Sequence, residues 1–286
     1  MIVPAASAPS VDSSWSWEPG VLFVLVLAVG VYVTRWRAAR RDGERHPPAV
    51  GRLLLWLAGV AVAFAALISP IDAMGDTLLV MHMVQHVLLI DIAPILLILG
   101  LTRVLLRPVT RRITVLERRA GVLAHPAFAV CFYVGIMWFW HVPALYDAAE
   151  GNDAIHVLEH LCFAAAGGLY WWHLLSPIRG RMRLDGLGPV VYMVVTRLGV
   201  GLLGIVLTFA PDALYPHYAH GGAWGLTADE DQSLAGLVMA LEQSVIMGVA
   251  LAWLFVRMLA ESEREQERRE RYELGEPGTT SLPSAS

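Results

Sequence analysis

The chain has 286 residues, of which 56% are hydrophobic and 16% charged, with a net charge of −4 and a mean hydropathy of +0.56. Soluble domains carry about 25% charged residues, so this composition excludes an ordinary soluble fold, a disordered chain and a nucleic-acid partner. All 21 basic residues are Arg, and the two cysteines, Cys131 and Cys162, are too few for a disulfide scaffold or a Cys-based zinc finger and are expected as small buried residues.

A membrane crossing takes about 20 mainly apolar residues. In chain order the candidate stretches are 20–34, 50–68, 77–100, 127–141, 155–175, 188–210 and 232–258. The first and fourth are short and are extended by Trp15, Trp17 and Trp36, and by Trp138 and Trp140, residues suited to the headgroup level. No basic region precedes the first stretch, unlike a signal peptide.

The linkers 35–52, 101–126 and 176–187, with the C-terminal end from Arg257, hold 20 of the 21 Arg. The alternating segments 1–19, 69–76, 142–154 and 211–231 hold none. The positive-inside rule then gives seven helices, the N-terminus outside and the C-terminus in the cytoplasm. The expected fold is an all-α polytopic membrane helix bundle in the plasma membrane, with the lipid bilayer as its solvent. Its expected parts are an extracytoplasmic tail (1–19), a seven-helix domain (20–259) and a cytoplasmic tail (260–286). That tail begins as the mixed-charge helical segment ESEREQERRERYEL and ends in GEPGTTSLPSAS, which cannot build a core. The outer segments carry Asp72, Asp76, Asp147, Glu150, Asp153, Asp212, Asp229, Glu230 and Asp231, either simple loop solvation or a negative rim that attracts cations.

Ionisable residues inside a membrane are costly and usually functional. On the third stretch His82 and His86 are four residues apart and share a helical face. On the fifth, His156 and His160 form a second such pair. The deduced topology brings His141, His217 and His220 to the same outer side, and leaves His46, His125 and His173 on the inner side as interfacial or structural residues. Imidazoles at this spacing can ligate one metal ion. His82, His86, His156 and His160 are the primary candidate ligands, with His141 as a further one. Asp231 is a candidate ligand or orienting carboxylate. Met239, about 12 Å below Asp231 at 1.5 Å per residue, would favour Cu(I) over zinc. Met81 and Met83 flank His82 and are expected to point partly away from it. Asp91 lies about 180° from His82 on an ideal helix and is expected outside the site. Arg197, the one Arg in a span, is expected to form an intramembrane ion pair with Asp91 or Glu242.

His156-Val157-Leu158-Glu159-His160 also matches H-x-x-E-H, in which two His bind zinc and Glu activates water. A membrane zinc hydrolase is therefore one alternative, and a haem-binding electron carrier with one axial His from each pair is another.

The residues His82-Met-Val-Gln85-His86 with Ala93-Pro94 and Gly100 resemble the signature of the CtaG-type multi-span cytochrome c oxidase assembly factors. The likeness continues through Trp140-His141-Val-Pro143 with Tyr146, His156-x-x-Glu159-His160, Leu207-Thr-Phe-Ala210 with Leu214-Tyr215-Pro216, and Asp231 to Met239. It covers roughly residues 50–260. It implies a role in maturing a haem–copper oxidase, an assembly factor or metallochaperone more than an enzyme, with copper as the handled metal and a terminal oxidase subunit or another copper-handling protein as partner. Gln85, Tyr146 and Glu159 would surround the ligands. The chain departs from the pattern after Met239, where Ala240-Leu241-Glu242-Gln243 continues the helix instead of a Trp and a helix break.

Overall fold

The computed structural model describes residues 11–41, 47–178, 180, 184, 186–219 and 223–275. It is 85% helical, with no strand among the described residues. The helices are α1 (Pro19–Arg41), α2 (Val50–Ile68), α3 (Pro70–Gly75), α4 (Leu79–Val87), α5 (Ala93–Gly100), α6 (Arg103–Ala120), α7 (Pro126–Trp140), α8 (Pro143–Glu150), α9 (Asp153–Leu175), α10 (Gly188–Phe209) and α11 (Ala228–Gly275).

Five of these are long and apolar enough to cross a membrane: α1, α2, the continuous rod Leu79–Gly100, α10 and α11. A sixth crossing counts if α6 with its following turn and α7, bent 64° from one another, form one span. The chain is thus a multi-pass membrane protein by helix length and composition. The fourth and fifth expected spans are the ones that fall short of those criteria. α7 has 15 residues, about 22 Å at 1.5 Å per residue against a hydrocarbon core of about 30 Å. α9 has 23 residues but carries Asp153, His156, Glu159 and His160 in its first turns.

Helix starts follow local chemistry. Asn152 caps α9 by accepting from the N–H groups of Ala154 and Ile155, and Ser69 accepts from Ile71 N–H ahead of α3. His125, on the expected inner side, caps α7 by accepting from Ala127 N–H. The cap of α4 comes from far along the chain. Asp231, at the start of α11, accepts from Leu79 N–H at 2.7 Å and from Val80 N–H at 3.0 Å. A carboxylate is favoured there by the unsatisfied N–H groups and the helix dipole. Replacing Asp231 with Ala is expected to cost about 1–2 kcal/mol in thermal unfolding, and Asn is expected to retain most of that. Equal losses for the two variants would show that the cap does not stabilise α4.

Between α4 and α5 the rod widens into a single π turn, Leu88–Ile92. Pro94 has no N–H to give to the Ile90 carbonyl, four residues back, and its ring crowds that oxygen. The Ile90 carbonyl faces α9 at Gly167, where an added Cβ would lie 1.8 Å from the oxygen. A second close crossing joins α10 and α11, where a Cβ on Gly236 would meet the Gly204 carbonyl at 2.6 Å. Tyr133, Phe163, Tyr170 and Trp171 fill the centre, fully buried.

Several expectations change. The 101–126 linker contains α6, an 18-residue helix with Arg103, Arg107, Arg111, Arg112, Arg118 and Arg119. The outer segments contain the short helices α3 and α8. α11 runs without a break through most of the charged tail to Gly275, with Arg269–Glu265 and Arg271–Glu267 pairs at 3.3 and 3.4 Å, and residues 276–286 lie outside the described residues. Cys131 is exposed and Cys162 half-buried, not both buried; a membrane helix can turn a small apolar side chain outward.

Candidate metal centre

Three helices bring the site together at the end of the bundle where α4 begins. α4 contributes His82 and His86, α9 contributes His156, Glu159 and His160, and α8 ends in Glu150. His82 Nε2 lies 2.7 Å from His86 Nε2, so one of these nitrogens carries a proton and the other accepts it. His82 Nδ1 lies 3.0 Å from Glu150 Oε1. Glu159 reaches between the His pair, with Oε1 3.6 Å from His86 Nε2 and Oε2 3.9 Å from His82 Nε2. Ring centroids are 5.4 Å apart for His82–His156, 5.8 Å for His86–His160 and 4.3 Å for His156–His160. Two triads, His82–His86–His160 and His82–His156–Glu159, each have ligand atoms within 4.8 Å of one another.

The cluster is buried and under-satisfied. His82, His86 and Glu159 are at most 2% exposed. Among the described residues, both Glu159 oxygens, His86 Nδ1, His156 Nε2 and His160 Nε2 have no hydrogen-bond partner. Buried polar groups without partners are costly, and a cation bound among these donors would remove much of that cost. Nitrogen and oxygen donors in this number fit a divalent metal, Cu(II) or Zn(II).

The rim is acidic. Asp72 accepts from Ser16 Oγ at 2.5 Å and from Gln85 Nε2 at 2.6 Å. Burial, followed by the charges of Glu150 and Asp72, pushes the Asp76 carboxyl up to about 6. His217 Nε2 lies 3.6 Å from Glu150 Oε2 and 2.9 Å from the Asp76 carbonyl. Its side chain is 34% exposed, which makes it the accessible edge of the site.

The structure brings together His82, His86, His156 and His160 as expected, and moves Glu159 from the surroundings into the cluster. Glu150, read from sequence only as part of an acidic rim, joins it because the short helix α8 turns it inward. Gln85 instead holds the Ala66 carbonyl and Asp72. Tyr146 packs 5.1 Å from the His82 ring, with its hydroxyl 3.3 Å from that of Tyr218. Asp231 accepts one α4 N–H at each oxygen and is not among the groups of donor atoms that lie within 4.8 Å of one another. Met239 is buried beside His86 in a small pocket that Met83, Met137, Asp91 and Glu242 also line. His141 stands at the edge of the cluster, 6.2 Å from the His86 ring. His46 and His220 lie outside the described residues, and His173 is far from the site, near Tyr192.

Among the described residues Arg197 forms no close ion pair with Asp91, while Glu242, which hydrogen-bonds with Asp91, lies within electrostatic reach of the guanidinium. Arg197 donates to Ser244 Oγ at 2.8 Å on the exposed side of α10. Asp91, in the π turn, faces inward and accepts from Tyr133 O–H at 2.7 Å and Trp171 Nε1–H at 2.5 Å. Neutral donors satisfy Asp91 there without the cost of desolvating a guanidinium.

The chain is similar to an uncharacterized protein of Mycobacterium bovis, 27% identical over 241 residues that cover 71% of this chain and 35% of the relative. It is likewise similar to an uncharacterized protein of Mycobacterium leprae, 24% identical over 269 residues that cover 85% of this chain and 38% of the relative. The chain therefore spans little more than a third of the length of these relatives. No solved structure matches it. Residues 30–261, which include every residue of the centre, match the family described as cytochrome c oxidase caa3 assembly factor, and the chain belongs to that family.

Proposed function

We propose that this protein assists the assembly of a haem–copper terminal oxidase by holding copper as cargo in the His–Glu cluster and handing it to an oxidase subunit or another copper-handling protein. The observation that carries the reading is the convergence of four imidazoles with Glu159, whose two buried oxygens have no hydrogen-bond partner among the described residues, in a member of an oxidase assembly family. The chain crosses the plasma membrane seven times in this reading, α7 and α9 supplying the remaining crossings. The N-terminus and the cluster face outward and the C-terminus faces the cytoplasm. The supporting feature is charge: the Arg-rich segments flank one end and the acidic rim the other.

Each residue has a role in this scheme. Asp72, Asp76 and Glu150 raise the local cation concentration. The four His and Glu159 bind it. The edge at His217 lets a partner take it, as a delivery site requires. Purified protein is expected to contain copper, and a His82→Ala/His86→Ala double substitution to lower that content and the copper content of the oxidase in cells. Normal metal content and normal oxidase loading in that variant would sink the proposal.

A second reading keeps one specific observation: Glu159 stands beside His82 and His156, as the base of a zinc hydrolase would. Glu159→Gln would then abolish turnover while zinc stays bound. An assembly factor has no turnover to lose. A Soret band in the purified protein would point instead to haem.

A further inference from the structure

A different donor pair lies inboard of the cluster. His141 ends α7, and its Nδ1 is 2.6 Å from the Met137 carbonyl. A carbonyl only accepts, so Nδ1 carries the proton and Nε2 of the neutral ring is a bare lone pair. The atom facing Nε2, at 3.2 Å, is Met83 Sδ, which also has only lone pairs to offer. Two acceptors therefore point at each other inside the protein. An imidazolium would resolve this by donating, but His141 is 5% exposed, and among the described residues no carboxylate pairs with it. A soft cation between nitrogen and sulfur resolves it without that charge.

The pair is held in place. Tyr215 O–H donates to the His141 carbonyl at 3.1 Å, and Met83 is fully buried. Met83 follows His82 directly on α4 and so leaves the His–Glu cluster for α7. Two further thioethers, Met137 and Met239, line the same small pocket with His86. Asp91 and Glu242 line that pocket too, and both Asp91 oxygens already accept, from Tyr133 and Trp171. Thioether and imidazole donors select Cu(I) over divalent ions.

We propose that His141 Nε2 and Met83 Sδ form a soft Cu(I) site, separate from the His–Glu cluster, with the thioether of Met239, which lines a pocket together with Met83, as a further ligand. This deepens the copper reading of the neighbouring cluster, and its test is separable from that reading. The full chain in detergent is loaded anaerobically with Cu(I) under ascorbate, and the copper environment is read by X-ray absorption. Zn(II) binding is measured in parallel. Wild type is expected to show a sulfur shell around copper. Met83→Leu, close in size and shape, is expected to lose that shell, as is His141→Gln. Groups that merely orient a ligand already change metal affinity by about 10–100-fold, so Cu(I) affinity in either variant, read by chelator competition, is expected to fall by about tenfold or more. Zn(II) binding should stay within about twofold. Conversely, His156→Ala/His160→Ala should lose Zn(II) and keep the sulfur shell.

Copper surrounded only by nitrogen and oxygen in wild type, or a sulfur shell that survives both Met83→Leu and His141→Gln, would overturn the proposal. Loss of the sulfur shell in the His156/His160 variant would overturn the separateness of the two sites. Failure of wild type to bind Zn(II) would count against the cluster and leave the sulfur signal to decide the soft site.

Discussion

Gly167→Ala is expected to be the most damaging Gly→Ala substitution among the described residues. The new Cβ would lie 1.8 Å from the Ile90 carbonyl oxygen and 2.6 Å from its carbon. Neither is the end of a flexible side chain, so the only relief is to move α9 away from the π turn. Overpacking a core costs about 1–3 kcal/mol where side chains can shift, and a backbone clash belongs at or above the top of that range. The neighbour supplies the control, since a Cβ on Gly168 would meet nothing within 4 Å. Gly168→Ala should be neutral or stabilising by up to about 1 kcal/mol through helix propensity. Thermal unfolding of the two variants in the same detergent checks the contrast. A Gly167→Ala protein that melts with wild type would mean that α9 and the rod do not cross this closely. The displacement has a functional consequence as well: α9 carries His156, Glu159 and His160, so this variant should also bind metal more weakly.

The second large effect is expected at Asp91. Its carboxylate accepts from Tyr133 O–H and Trp171 Nε1–H, and Gln243 Nε2 lies 3.5 Å away. Asp91→Ala would leave the tyrosine and indole donors buried without an acceptor, at about 1–3 kcal/mol each, plus the cavity. A total loss of about 3–5 kcal/mol follows, the range for breaking one side of a buried charged network. Asp91→Asn keeps a carbonyl for Trp171, and its amide can donate to the Tyr133 oxygen, so its loss should be roughly half as large or less. Arg197→Gln, by contrast, removes an exposed group bound to Ser244 and should fall within about 0.5 kcal/mol of wild type. Thermal unfolding of the three variants orders them. A large Arg197→Gln loss that Asp91→Ala does not add to would instead restore the ion pair expected from sequence.

The contrast between these two positions shows where sequence reasoning stops. That Arg197 and Asp91 are polar residues in apolar stretches is legible in one dimension. Their partners are not, because a one-turn widening at Leu88–Ile92 sets the direction of every side chain in and after it. Pro94 was visible, but a proline in a helix can produce a kink, a break or a π turn, and packing against α9 decides which. The same limit applies to Asp231. Its place at the head of the last apolar stretch suggests a ligand or an orienting carboxylate, and only the fold shows that it caps the N-terminus of a helix that begins about 150 residues earlier. Met83, next to His82 in the chain, is expected to point partly away from it; only the fold supplies His141 as its counterpart.

The four-residue spacing of His82/His86 and of His156/His160, the confinement of Arg to alternate linkers and the apolar runs are local or periodic properties, and the sequence alone determined them. They establish an all-helical membrane protein with two imidazole pairs on helical faces, because helix periodicity and the cost of charge in lipid act residue by residue. The tertiary structure decided which faces meet. It drew Glu159 and Glu150 into the cluster, assigned Asp231 to a cap, separated Arg197 from Asp91, and opposed the lone pairs of His141 and Met83. Those outcomes depend on helix crossings and on backbone approach at Gly167 and Gly236, contacts between residues far apart in the chain that no short-range pattern encodes.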